Sequence, residues 1–340
     1  MNMQEFLQRI PKVELHCHLE GSVQASTFVE LAAKHNVELP EYETPKDLYE
    51  YDNILDFLKI YNLVGHCVRD HDDFRRITYE TLEEAHEHGV RHREMFWSPM
   101  DHLEIGVPYE TAVDGIIAGL RDAETDFGMT CSLIADINRM KSPEEGYEMI
   151  GIVLDHPREE LIGMGLDYAE EGNPPEKFWK AFRLGAKGGL HLTAHACEDA
   201  PARNIETCLD LLSCERIDHG YHVLGDEQIT QRCRDEGVVF TACVASTAFV
   251  YFGKDYSQHP VRGMKEKGLK IMLNSDDPPM FHTDPTYEYI LCAEHMQFTP
   301  GDFREIVLNG IDGSWLPDPT KRQWQREWGQ EIDELIAQLN

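Results

Sequence analysis

Four short clusters of polar residues in this sequence could do chemistry together: His16-Cys17-His18, His195-Ala196-Cys197-Glu198, Asp218-His219-Gly220 and Asn274-Ser275-Asp276-Asp277-Pro278. Three histidines and one aspartate (His16, His18, His195 and Asp276) make a nitrogen/oxygen donor set that suits zinc, with a position left open for water. Glu198 and His219 then remain beside it as acid/base groups. Each cluster also has a structural reading. Residues two apart on a strand face the same way, so His16 and His18 can reach one site, but two buried, hydrogen-bonded histidines explain the pair equally well. With 17 histidines, about one His-x-His is expected by chance, and a second, His86-Glu87-His88, sits in a helical stretch where that geometry fails. Asp-Asp-Pro is often a turn, and Cys197 reads as a small buried residue rather than a thiolate ligand.

A barrel would bring these clusters to one place. Apolar and β-branched runs predict strands over 13–18, 93–97, 130–137, 161–167, 190–195, 216–219, 238–243 and 270–274, with helical patterns between most of them, such as 109–127 and 175–186. The gaps suit helical crossovers and are too long for hairpins, so the expected fold is α/β, a (β/α)8 TIM barrel. On that fold strand 1 ends in His16 and His18, strand 4 in Gly165-Leu-Asp167, strand 5 in His195 to Glu198, strand 6 in His219 and strand 8 in Asp276-Asp277. That is the C-terminal face, where barrel enzymes keep their active residues. Five such coincidences at the right end of five strands argue against a purely structural reading.

The chain reads as one domain over 1–340, with its longest insertion, helical, at about 21–88. Within it, residues 53–64 place Ile54, Phe57, Leu58 and Tyr61 on one helical face, either core-facing or a hydrophobic lid over the C-terminal face. Beyond Trp315 the sequence predicts a polar, tryptophan-containing terminal helix.

Composition bounds the function. Of 340 residues, 41% are hydrophobic and 27% charged, which is ordinary for a globular protein, but Lys+Arg is 31 against Asp+Glu 62, a net charge of −31. Such a surface repels phosphate backbones and anionic headgroups, so neither nucleic acid nor a membrane surface is expected as a partner. The 9 cysteines include no Cys-x-x-Cys pair, which suits a reducing compartment. There is no secretory signal pattern at the start and no apolar run of membrane-spanning length, so a cytoplasmic location is expected. A homo-oligomer is left open.

Lys12-Val-Glu-Leu-His-Cys-His-Leu-Glu-Gly21, His195-Ala-Cys-Glu198, Arg216-Ile-Asp-His-Gly220 and Ser275-Asp-Asp-Pro278 resemble, in order and spacing, the adenosine/adenine deaminase family. The resemblance runs from about Pro11 to Leu316. It implies a zinc-dependent TIM barrel, with one zinc per chain, that replaces the exocyclic amine of a 6-aminopurine with oxygen and releases ammonia. By motif position it makes His16, His18, His195 and Asp276 the zinc ligands and Glu198 the proton donor. It makes His219 the residue that positions and deprotonates the metal-bound water, and Asp277 a contact to the purine ring. Phe57 and Tyr61 match the family's hydrophobic lid, and Gly165 falls in the substrate-facing strand 4 segment.

The sequence also departs from the family pattern. Glu20 stands where adenosine deaminases carry an aspartate that meets the ribose, and the longer side chain would fill sugar space. That feature and the segment from Gly163 to Pro175 lean toward the adenine-base branch. Cys197 replaces a usual glycine, and Cys243-Val-Ala-Ser-Thr-Ala-Phe replaces a usual Ser-Asn, which leaves adenine, adenosine and N6-substituted aminopurines open. Two-metal barrel hydrolases are disfavoured because Asp167, not lysine, ends strand 4, and cytidine-deaminase-type enzymes because Pro-Cys-x-x-Cys is missing. A non-catalytic zinc- or purine-binding protein would require loss of Glu198 or His219, and both are present.

Overall fold

Strands buried on both faces build the centre of the molecule. A computed structural model describes residues 1–251 and 255–340. Among these, β1 (Lys12–Glu14), β2 (Val90–Trp97), β3 (Thr130–Asn138), β4 (Leu161–Asp167) and β5 (His191–Leu192) form one parallel sheet in that order. A second parallel sheet follows as β6 (His195–Ala196), β7 (Ile217–His219), β8 (Val239–Ala242) and β9 (Lys270–Leu273). Both seams between the sheets are hydrogen-bonded. At one, only Thr193 and Ala194 separate β5 from β6: Thr193 N–H donates to Met164 C=O, and Asp218 N–H donates to Ala194 C=O. At the other, Cys17 pairs with Asp276, His18 N–H donates to Asp276 C=O, and Asp276 N–H donates to His16 C=O. The result is the expected (β/α)8 barrel, its fifth strand divided into β5 and β6.

β2 and β3 run slightly longer than the apolar runs suggest and β4 matches its run, whereas β1 and the strands from β5 onward are shorter, for physical reasons. The first strand loses its regular ladder after Glu14, because Leu15 N–H donates to the Asn274 side chain (2.8 Å) instead of a backbone carbonyl. Near the C-terminal face the backbone turns left-handed at Tyr168, Cys197, His219 and Asp276 (φ 67°, 63°, 65° and 63°), which no regular strand tolerates.

Helices cover the barrel between strands. The crossover Tyr109–Phe127 lies against His71–Glu87, and Gly115 and Gly119 allow it: a Cβ there would stand 2.5 Å from the His71 carbonyl oxygen and 2.6 Å from that of Arg75. The predicted 175–186 helix begins as a tight 3₁₀ turn, Pro175–Phe178, before Trp179–Gly188. At the N-terminal end of the barrel Trp315 lies over the Arg216 guanidinium (3.9 Å) and stacks on His191 (4.9 Å), and the terminal helix Asp318–Ile336 follows it.

The insertion holds helices Ala25–His35 and Ile54–Cys67, and its last helix, His71–Glu87, leads into β2. Asn53 caps Ile54–Cys67 by accepting from Leu55 N–H and Asp56 N–H, as its position ahead of an apolar periodic run requires. Phe57, Leu58 and Tyr61 are buried on the inner face, and Phe57 packs on Phe281 (4.7 Å) across the mouth of the barrel.

Candidate active site

The ends of the strands deliver five metal-competent side chains to one point. Asp276 Oδ1 lies 3.1 Å from His16 Nε2 and 3.4 Å from His18 Nε2, and His18 Nε2 lies 3.2 Å from His195 Nε2. The His219 ring is 4.5 Å from that of His16 and 4.8 Å from that of His195. His16, His195, His219 and Asp276 form one tight donor group, and His18 meets it through Asp276 and His195. All five are buried. The structure thus brings together the four residues expected to hold zinc and sets His219 beside them at comparable range.

Each imidazole has a polar group behind its Nδ1, hydrogen-bonded for His16 and His219 and a carboxylate at 3.8–4.0 Å for His18 and His195. His16 Nδ1 bonds Thr241 Oγ1 (2.9 Å) and lies 3.6 Å from Asp218, while His16 Nε2 faces inward with no hydrogen-bond partner. His195 Nδ1 faces Asp218 (4.0 Å), and His18 Nδ1 faces Asp136 (3.8 Å) and Asp167 (4.0 Å). His219 Nδ1 bonds Tyr221 Oη (3.2 Å). Carboxylates and hydroxyls on one ring nitrogen, leaving the other free for the centre, are how proteins orient histidine ligands. The donor chemistry and the orphaned Nε2 of His16 both fit zinc.

Acid and base groups flank this centre. Glu198 Oε2 is 3.7 Å from His219 Nε2. Burial, then the nearby Asp276 charge, pushes the Glu198 carboxyl well above the usual range. Burial, then His16, pushes the His219 imidazole well below its own. Asp277 is also driven upward, by burial and then by Asp276, and its Oδ1 is buried without a partner. Gly21 makes room for it, since a Cβ at Gly21 would stand 1.6 Å from that oxygen. Asp276 Oδ2 accepts from Ser246 Oγ (2.6 Å), which fixes the other oxygen toward the histidines.

These groups floor a cavity of about 60 Å³ that Phe57, Leu58, Tyr61 and Phe281 roof. A water needs about 10–15 Å³ of such space, so the cavity has room for more than one water above the donor cluster. Glu20 and Gly165 sit differently from Phe57 and Tyr61. Glu20 lies behind the wall: it accepts from His102 Nε2 (2.9 Å), Ser98 N–H (3.2 Å) and Tyr61 Oη (3.3 Å), so it reaches the cavity through Tyr61. Gly165 is filled over by Asp136, whose Oδ1 would stand 1.9 Å from a Cβ there. Cys197 is buried, as expected, but in a left-handed turn between His195 and Glu198.

Several residues that shape the site carried no role in the sequence reading. Asp218, Thr241 and Asp136 orient the imidazoles. A charged residue inside the wholly apolar run Leu133-Ile-Ala-Asp136-Ile was the available signal. Glu170, three residues past β4, is nearly buried and accepts from the backbone N–H groups of Cys197 (2.9 Å) and Glu198 (3.1 Å); no spacing pattern marks it.

The family model described as adenosine deaminase matches residues 11–328. An adenine deaminase of Psychrobacter cryohalolentis is 34% identical over 324 residues, covering 95% of this chain and 97% of that protein. Among solved structures, a Burkholderia ambifaria amidohydrolase with zinc bound superposes with a TM-score of 0.93 at 36% identity, covering 98% of this chain and 93% of that one. The adenine deaminase of Arthrobacter aurescens superposes with a TM-score of 0.91 at 33% identity, covering 95% and 99%.

Proposed function

The chain belongs to the adenosine deaminase family and is a zinc-dependent hydrolase that deaminates aminopurines, and we propose that its substrate is adenine, converted with water to hypoxanthine and ammonia. The observation that carries this reading is the pair beside the donor cluster: Glu198, whose carboxyl burial pushes upward, stands 3.7 Å from His219, whose imidazole burial pushes downward. Zinc held by His16, His18, His195 and Asp276 would supply Lewis acidity, bringing the pKa of water to about 7.

The remaining steps belong to the chain's own residues. The amine-bearing C6 of a purine is a poor electrophile until the neighbouring ring nitrogen N1 is protonated, and Glu198 is placed to deliver that proton. His219 takes the proton released by the attacking water and passes it to the departing amine, which leaves as ammonia; the hydroxyl left on C6 loses its proton as the oxo product forms, and that proton replaces the one Glu198 gave to N1. Asp277, protonated, donates to a ring nitrogen on the other edge. Phe57 and Tyr61 close the site against bulk water.

Adenine is favoured over adenosine by three supports. Near-full-length relatives carry the name adenine deaminase. Aromatic and apolar side chains (Phe57, Leu58, Tyr61 and Phe281) line the cavity beside the polar cluster, and Glu20 backs the Tyr61 wall where added bulk would have to be accommodated. In this reading residues 1–340 act as one domain, with 21–88 contributing the lid. The net charge of −31 disfavours nucleic acid and membrane surfaces as partners, and nine cysteines without a Cys-x-x-Cys pair favour a reducing, cytoplasmic compartment. No helix among the described residues is long and apolar enough to cross a membrane.

Ammonia release from adenine, adenosine, deoxyadenosine and N6-substituted adenines on zinc-loaded protein tests the proposal. Adenine should give the highest kcat/KM. Faster turnover of adenosine overturns the substrate assignment, and silence on every purine overturns the activity.

A further inference from the structure

The turn that carries Glu198 is held by a residue outside the cavity. Glu170 Oε1 accepts from Cys197 N–H (2.9 Å) and from Asn204 Nδ2 (2.7 Å), and its Oε2 accepts from Glu198 N–H (3.1 Å). Two successive amides converging on one anion form a concave cradle of the kind that binds carboxylates and phosphates. From the opposite side Cys197 C=O accepts from His222 N–H (3.0 Å), and His222 Nδ1 stands 3.3 Å from the same oxygen. Between these two clamps Cys197 sits at φ 63°, a conformation that favours glycine and that a cysteine holds only when its surroundings impose it. Glu170 and Asn204 are both 5% exposed, so water does not take over these bonds.

We propose that Glu170 is a positioning residue for the deamination: by receiving the N–H groups of Cys197 and Glu198 it holds the left-handed turn that aims the Glu198 carboxyl into the cavity. The inference rests on the reading of Glu198 as the proton donor. Residue 197 joins a zinc-ligating histidine to that acid, so a turn free to relax right-handed would leave His195 on its strand and swing Glu198 away. Loss of Glu170 should therefore lower the chemical step and leave the metal in place. The nearby Glu170 charge also adds to the burial and the Asp276 charge that keep the Glu198 carboxyl protonated.

The test compares zinc-loaded wild type, Glu170→Gln, Glu170→Gln with Cys197→Gly, and Glu198→Gln, all assayed on adenine. Gln keeps the size of Glu170 but turns an NH2 group toward one of the two amides. Glu170→Gln should lose about 100-fold in kcat, the scale of an ångström misplacement, with KM changed by no more than about threefold and full zinc content. Backbone amide exchange at Cys197 and Glu198 should quicken in the same variant. Adding Cys197→Gly, which takes the left-handed turn without a Cβ penalty, should recover about tenfold of the lost kcat.

Unchanged kcat in Glu170→Gln beside an inactive Glu198→Gln overturns the positioning role. So does loss of zinc along with activity, or a loss that glycine does not repair at all. An active Glu198→Gln removes the acid assignment itself, which the remaining variants then report separately through amide exchange.

Discussion

Glu198 and His219 face each other across 3.7 Å, a carboxyl driven toward its protonated form beside an imidazole driven toward its neutral one. They come from neighbouring parallel strands, since Ala196 pairs with His219 and Glu198 follows two residues later. The barrel's interior removes water from both, and removal of water disfavours the charged form of each: the acid keeps its proton and the base stays free of one. Environments that drive two groups apart in this way assign acid and base without reference to sequence position.

Glu198→Gln should therefore bind zinc as the wild type does and lose about 10²–10⁴-fold or more in kcat on adenine, the span ascribed to general acid catalysis. Gln fills the same volume and cannot donate a proton to a ring nitrogen. Metal analysis and steady-state rates check both halves, and turnover within a few-fold of wild type takes Glu198 out of the proton path.

His219 stands at ligand distance from the cluster as well as beside the acid, and the two roles separate under mutation. His219→Gln should keep about one zinc per chain and lose turnover, whereas Asp276→Ala should lose zinc and turnover together, because Asp276 Oδ1 touches both His16 and His18. Inductively coupled plasma analysis of the two purified variants decides the matter. Zinc missing from His219→Gln makes His219 a ligand, and a fully zinc-loaded Asp276→Ala removes Asp276 from the donor set.

The site was more legible than the strands that carry it. His16, His18, His195, His219, Asp276 and Asp277 sit at strand ends in recognisable spacings, and the barrel gathers strand ends on one face. Strand limits were harder to read, because side-chain acceptors such as Asn274 and left-handed residues such as Cys197 and Asp276 interrupt the ladder where apolar character continues. Glu170 and Asp136 were silent for a different reason: their roles lie in contacts with residues 27 and 118 positions away, and local spacing carries no trace of such contacts. Glu20 is marked in the sequence by its departure from the family pattern, and its place behind Tyr61 rather than at the cavity surface follows only from the three-dimensional packing.

That placement changes how Glu20 should act. Shortening it to Asp withdraws the carboxylate from Tyr61, His102 and Ser98, and Tyr61 gains freedom to move from the cavity wall. Glu20→Asp should raise the adenosine-to-adenine ratio of kcat/KM, and Tyr61→Phe, which breaks the same contact from the other side, should raise it in the same direction. The effect is worth about 1–3 kcal/mol in a pocket of this kind, or about 10- to 200-fold. Ratios unchanged in both variants would show that Tyr61 does not define the sugar side.

A buried ion pair at the barrel's other end contributes to stability in acid. Glu94, on β2 and fully buried, meets the Arg216 guanidinium, accepts from Trp315 N–H, and lies 3.5 Å from His92 Nε2. Burial pushes its carboxyl upward, but Arg216 and His92 outweigh it and hold the carboxyl down at about 2, against 4.5 when free. A depressed carboxyl contributes stability that is complete above pH 4.5 and is lost as the pH falls through 2; a shift of this size amounts to about 3 kcal/mol. Glu94→Gln leaves Arg216 buried without its counter-charge, which costs about 3–5 kcal/mol at neutral pH. Urea unfolding of both proteins at pH 7 and pH 3 should show the difference between them narrowing by about 2 kcal/mol at the lower pH, as wild-type Glu94 gives up part of its advantage. Other carboxylates and any release of zinc affect both proteins alike and drop out of the comparison. A difference that stays constant from pH 7 to pH 3 would mean that Glu94 titrates near its free value, and that Arg216 is held by Leu15 C=O, Gly313 C=O and the Trp315 ring instead.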